Sequence, residues 1–250
     1  MITDITFYIL AALAVLIIGI SKSGFGSGLA VLGVPLMAIA ISPAKAAAIL
    51  LPLLIVLDLF NLIHYRGRFD RTNFFILLPA ALVGILVGSL TFRYLSDAHI
   101  RIMIGGIAVV FVINYFWGQR NERPKTEASR VKGSMWGAIA GFTSFGVHAG
   151  GLPVNIYLLP QRLDKTLFVG TTVIFFAIVN YVKLIPYALL GQLNVDNLLT
   201  SLILAPFVPL GFWMGINLHK QVDEKLFYIL AYFFLFVAGL KLLYEGITNI

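Results

Sequence analysis

The chain is 250 residues long, 60% hydrophobic and 12% charged, with a mean hydropathy of +0.95; such a composition cannot cover a water-facing surface with polar groups, so a soluble globular fold is excluded and the solvent is lipid. The formal charge of +7 comes from basic residues scattered through short loops rather than gathered on one face, which excludes nucleic acid as a partner. Cysteine is absent, which removes disulfides, thiol nucleophiles and thiolate metal sites, and residues 1–250 read as a single membrane domain.

At the N-terminus, Asp4 and the lack of Lys or Arg ahead of the first apolar run mean that the positive region of a cleaved signal is missing, so this run is expected to stay in the protein. Residues 5–41 read as two short helices around a break at 21–28, which holds Ser21, Lys22, Ser23, Gly24, Gly26 and Gly28. Stretches of roughly 20 apolar residues, enough to span a bilayer, follow at 45–64, 73–92 and 101–117. A polar linker at 118–132 carries Arg120, Arg123, Lys125, Arg130 and Lys132. Residues 133–160 again read as two short helices, around a break at 143–151 that includes His148, Gly150 and Gly151, and spans follow at 166–189, 197–218 and 225–244.

The two halves match. Pro79, Gly84 and Gly88 return as Pro206, Gly211 and Gly215, a constant offset of 127, and Asp58 to Asn61 falls against Asn180 to Lys183. Repeat one is assigned to 5–117, the linker to 118–132 and repeat two to 133–246. The basic linker places itself in the cytoplasm, and Arg66, Arg68 and Arg71 place their loop on the same side. The corresponding loop at 191–197 has no Lys or Arg and contains Asp196, so it reads as outside. The expected fold is therefore all-α and integral to the membrane: two inverted-topology repeats, each a re-entrant broken hairpin plus three spanning helices. Arg93 and Arg101 flank a loop that this topology puts outside, against the charge rule.

Irregular backbone at membrane depth is tolerated only where protein or a water-filled cavity satisfies it, and inverted repeats with broken helices are a common construction of secondary transporters. Each returning half-helix would aim free N–H groups and a positive dipole end at the midplane, which favours an anion. Lys22 and His148 lie inside the breaks and add positive charge. The expected substrate site is Lys22, Ser23, Gly24, Gly26, Gly28, His148, Gly150 and Gly151, with Asp58, Asn180 and Lys183 as its polar surround or coupling groups. Several of these have plainer readings. Lys22 could bond carbonyls left open by the break. Asp58 is either a proton or ion relay or the fixed partner of Lys22 or Lys183. Asn180 could join helices, Lys183 could reach the outer interface, and His148 could be a hydrogen-bonded filler. Neither an enzyme signature, a metal-ligand spacing nor a cofactor motif is present in the sequence.

The first break, with Pro35 and Leu36 after it, Leu51-Pro52-Leu53-Leu54, Asp58 and Tyr65-Arg66-Gly67, resembles the first repeat of the TauE/SafE family of sulfite and organosulfonate exporters. Ala149-Gly150-Gly151-Leu152-Pro153, Tyr157-Leu158-Leu159-Pro160, Gly170-Thr171, Asn180, Lys183 and Tyr187 resemble its second. Ser27 stands where a third glycine is expected, and Leu152 where a proline is frequent. The resemblance implies export of a small sulfur-containing anion such as sulfite, sulfoacetate or a related organosulfonate across a bacterial inner membrane. Bulky apolar faces permit a homodimer. An anion channel on the same hairpins, a non-transporting sensor or assembly subunit, and a cation carrier using Asp58 are the alternatives.

Overall fold

The computed structural model describes residues 2, 4–25, 27–92, 94–118, 125–218 and 224–249; these are largely helical, with no strand among the described residues. Helix α1 (Ile5–Ile20) runs directly into a π-helical turn, Ser21–Phe25. Together they make 21 continuous residues, long and apolar enough to cross a bilayer. A tight 3-10 turn, Ser27–Leu32, and the short helix α2 (Gly33–Ala38) then pack back against α1. The first hairpin is thus unequal, one long arm and one short, rather than the two short helices expected. Nothing before Gly24 forbids helix, and the widened turn absorbs Ser21 to Phe25 where a break was expected. Gly26 lies outside the described residues.

Local chemistry sets the other boundaries. Pro43 opens α3 (Pro43–His64) behind an N-cap at Ser42. Asp70 accepts from the Asn73 N–H at the start of α4 (Arg71–Phe92), which is followed by α5 (Asp97–Gly118). Ser129 caps α6 (Arg130–Val147), which ends at His148 in the left-handed region with φ 53°. Helix α7 (Gly151–Leu158) starts at once, so the second break is narrower than the sequence suggested: 143–147 remain helical and the interruption is 148–150. Asp164 caps α8 (Lys165–Leu189), and Asn194 caps α9 (Val195–Leu204). The stretch 197–218, read as one span, is bent by 44° between α9 and α10 (Phe207–Leu218). Pro206 lies in that gap and lacks the N–H a continuous helix would use. The chain ends in α11 (Glu224–Thr248).

Among the described residues four helical stretches are long and apolar enough to cross a membrane, five if α9 and α10 form one bent span. The segments 101–117 and 225–244, also expected to span, lie in α5 and α11, helices of 22 and 25 residues. Outward faces are apolar, as with Leu82, Val83 and Leu86 on α4, while Lys22, Asp58, His148, Asn180 and Lys183 are all buried. This is the polarity of a multi-pass membrane protein.

Helix pairs meet where side chains are smallest. A Cβ added at Gly141 would strike the Ala81 backbone and one at Gly84 the Ala138 carbonyl, so α4 and α6 touch backbone to backbone. Gly211 and Gly215 on α10 meet α1 and its π turn in the same way. Each glycine pair that recurs between the halves therefore holds the broken helix of the other half. Asp58 meets Asn180, and the Arg68 carbonyl meets Gly170, so α3 and α8 run antiparallel; so do α5 and α11, where Gly105 faces Gly239 and Ile102 faces Gly246. Arg101, whose position ran against the charge rule, is committed elsewhere: it donates to the Ala38 carbonyl at 2.9 Å and pairs with Glu245 at 2.7 Å, tying α5 to α2 and α11. Arg93 lies outside the described residues.

Candidate functional site

Two polar centres sit at the two breaks, and α3 and α8 connect them. In the first, Lys22 projects from the π turn and its Nζ lies 2.5 Å from Asp58 Oδ1 on α3. The second carboxylate oxygen accepts from Asn180 Nδ2 on α8 at 2.6 Å. Lys22 is 4% exposed and Asp58 0%. In a medium of such low polarity each charge is tolerable only because the other is beside it. Tyr65, the residue that caps the C-terminus of α3, donates its hydroxyl to the Ser23 carbonyl at 2.7 Å, and Ser21 Oγ accepts the Leu29 N–H at 3.1 Å. Two backbone groups at the break, the Ser23 carbonyl and the Leu29 N–H, are thus satisfied by side chains.

In the second centre, Lys183 Nζ on α8 donates to the Ser144 carbonyl at 3.0 Å and to Ser144 Oγ at 3.1 Å, and lies 2.7 Å from His148 Nδ1. His148 Nε2 is 2.9 Å from the Ala47 carbonyl on α3. A carbonyl only accepts, so the ring proton belongs on Nε2 and Nδ1 accepts from Lys183. Lys183 is fully buried, and none of these partners is a carboxylate. Burial opposes an isolated ammonium, and an anion arriving beside it offsets that cost. Tyr187 donates to the Phe145 carbonyl at 2.6 Å, mirroring Tyr65 and Ser23; both bonds span 42 residues. The ring of Phe176 connects the centres, 5.7 Å from Lys22 Nζ and in contact range of a Cβ at Gly150.

The structure thus brings Lys22, Asp58 and Asn180 into one group and His148 and Lys183 into another. Asp58 is the partner of Lys22 rather than of Lys183. Lys183 points into the protein, not to the outer interface. Gly24 lies against the Gly215 carbonyl of α10, and Gly150 against Ala140 and Ser144, so both serve close helix contact here. Gly151 opens α7, and Gly28 lies in the 3-10 turn. Ser23 contributes its carbonyl to Tyr65, while its hydroxyl and both polar atoms of Asn61 are buried without a hydrogen-bond partner. Sequence reasoning assigned no role to Asn61, Ser144 or Phe176. Asn61 had a signal, since it lies one turn from Asp58 and aligns with Lys183. A cavity of about 310 Å³ runs to this region from the surface, touching Ala47, Phe145, Gly146 and Tyr187 at its inner end and Asp97 and Gln192 further out. Among the described residues no group of His, Asp and Glu could hold a metal ion.

The family model described as Sulfite exporter TauE/SafE matches residues 11–242, a stretch that includes both breaks and every residue of the two polar centres. The chain belongs to this family. No curated protein and no solved structure matches it. TauE/SafE proteins are membrane transporters.

Proposed function

We propose that the protein is a secondary carrier that exports a small sulfur-containing anion, such as sulfite, sulfoacetate or a related organosulfonate, across the bacterial inner membrane. The observation that carries this reading is the excess of cationic over anionic groups in the buried cluster: Lys22 and Lys183 against Asp58 alone. An oxyanion is the guest that such a cluster lacks, and a cation is not. The two halves act as inverted copies. Antiparallel packing of α3 on α8 and of α5 on α11, together with each half's glycines clasping the other half's broken helix, supports that reading. Alternating access follows if the hairpins move against the remaining helices, with the linker 118–132 in the cytoplasm.

The entering anion competes with the Asp58 carboxylate for Lys22 and Asn180, because that carboxylate already occupies both donors. The test is uptake of radiolabelled sulfite, sulfoacetate, taurine and sulfate into proteoliposomes. One sulfur-containing anion is expected to enter saturably, and Lys22→Ala to abolish it. Equal, unsaturable leakage of all four in wild type and variant would contradict the proposal.

A further inference from the structure

Away from the polar cluster, a second cavity of about 490 Å³ opens on the outer surface between α4 and α6, lined by Arg71, Thr72, Phe75, Pro79, Arg130 and Ser134 among others. The contacts of the glycine seam give its orientation. Gly133 of α6 lies against Ile76 of α4, Gly137 against Leu77, and Gly141 against Ala81, so the two helices run parallel and begin at the same end. Arg71 is the first residue of α4 and Arg130 the first of α6. Both guanidinium groups therefore stand at one membrane boundary, over one groove.

Below them the groove is apolar. Phe75 is 66% exposed, and Pro79 is exposed on the same helix. Beside the guanidinium groups, the Thr72 and Ser134 hydroxyls line the upper part. Among the described residues neither arginine has an ion-pair or hydrogen-bond partner. The nearest acid in sequence to Arg71, Asp70, is used by the Asn73 N–H as a helix cap. Glu127, three residues before Arg130, lies ahead of α6 and does not line the cavity.

We propose that this groove binds an anionic phospholipid. Planar guanidinium forks match the two free oxygens of a phosphodiester, hydroxyls add donors to the same headgroup, and basic pockets between helices at a membrane boundary suit such lipids. An acyl chain then lies along Phe75 and Pro79 on the lipid-facing side of α4. The apolar floor favours a lipid over a free phosphate ion, which would leave it uncovered. The groove lies on the seam between α4 and the broken helix α6, so the bound lipid borders the contact that the proposed carrier motion would strain.

Native mass spectrometry of the detergent-solubilised full chain tests this without reference to transport. Titration with phosphatidylglycerol is expected to leave one lipid bound per chain, and phosphatidylcholine none. Arg71→Gln with Arg130→Gln is expected to weaken phosphatidylglycerol binding about thirtyfold, given what each basic group contributes beside an anionic lipid. Arg66→Gln with Arg68→Gln removes the same charge from the neighbouring loop and should leave binding unchanged. Ser134→Trp fills the groove with both arginines intact, and should also abolish binding. Equal retention of the two lipids, unchanged binding in the Arg71 and Arg130 variant, or displacement of phosphatidylglycerol by inorganic phosphate alone would each overturn the assignment.

Discussion

Replacing Lys22 with Met leaves the Asp58 carboxylate, 0% exposed, with only the Asn180 amide as a donor. Replacing Asp58 with Leu strands the Lys22 ammonium, 4% exposed, over the face of Phe176. Breaking a buried pair from one side costs about 3–5 kcal/mol, because the remaining charge stays uncompensated. For a chain of this size that corresponds to a fall in Tm of roughly 6–20 °C in each single variant. The double variant Lys22→Met with Asp58→Leu removes both charges together and should recover most of the loss, since apolar replacements of similar volume are often neutral. Thermal unfolding in detergent of the four proteins gives the coupling energy directly. Strongly destabilised single variants with a near-native double variant are expected. If both single variants melt within about 1 kcal/mol of wild type, or the double variant shows the sum of the two losses, the pair does not carry the weight given to it. The folded double variant also separates structure from transport, because it should be inactive.

Other parts of the structure make their own predictions. Removing the unpartnered polar atoms with Asn61→Leu should raise stability by about 1–3 kcal/mol, the usual desolvation cost of such groups; thermal unfolding checks this, and a fall in stability would mean that Asn61 is satisfied in the native protein. Gly141→Leu drives a side chain into the Ala81 backbone and should cost at least about 1–3 kcal/mol through overpacking, read as a lowered Tm with separation of α4 from α6 in cross-linking between the helices. Asp164→Ala removes the side chain that caps α8 and should cost about 1 kcal/mol while leaving the KM for sulfite unchanged. A shift in KM would show that the start of α8 takes part in binding.

Composition and apolar run length made the helical membrane architecture legible, because a bilayer imposes a length and polarity that few other constraints match. Glycine and serine clusters marked both interruptions. Their exact shape was hidden, since a π turn at Ser21–Phe25 and a left-handed residue at His148 leave no pattern distinct from a general loss of helix propensity. The bend near Pro206 was missed because Pro79 sits inside α4 without breaking it, and proline alone does not say which helix will kink. For the polar cluster, an acid and two lysines within apolar segments were conspicuous, yet pairing depends on helix rotation. Sequence alone does not choose between Lys22 and Lys183 as the partner of Asp58; the π turn, packed against α10 and α8, brings Lys22 to it. Ser144 and Phe176 carried no signal, as a serine in a break and a phenylalanine in an apolar span are what those settings ordinarily contain.

Counterflow in proteoliposomes tests the central claim most directly. Vesicles holding wild-type protein are loaded with unlabelled sulfite and diluted into a trace of labelled sulfite, with the membrane potential clamped at zero. A carrier with a saturable site that faces one side at a time should accumulate label transiently above equilibrium, and the folded Lys22→Met with Asp58→Leu variant should not. Equilibration without overshoot in the wild type, at a rate far above carrier turnover, would show an open anion pathway and contradict the account.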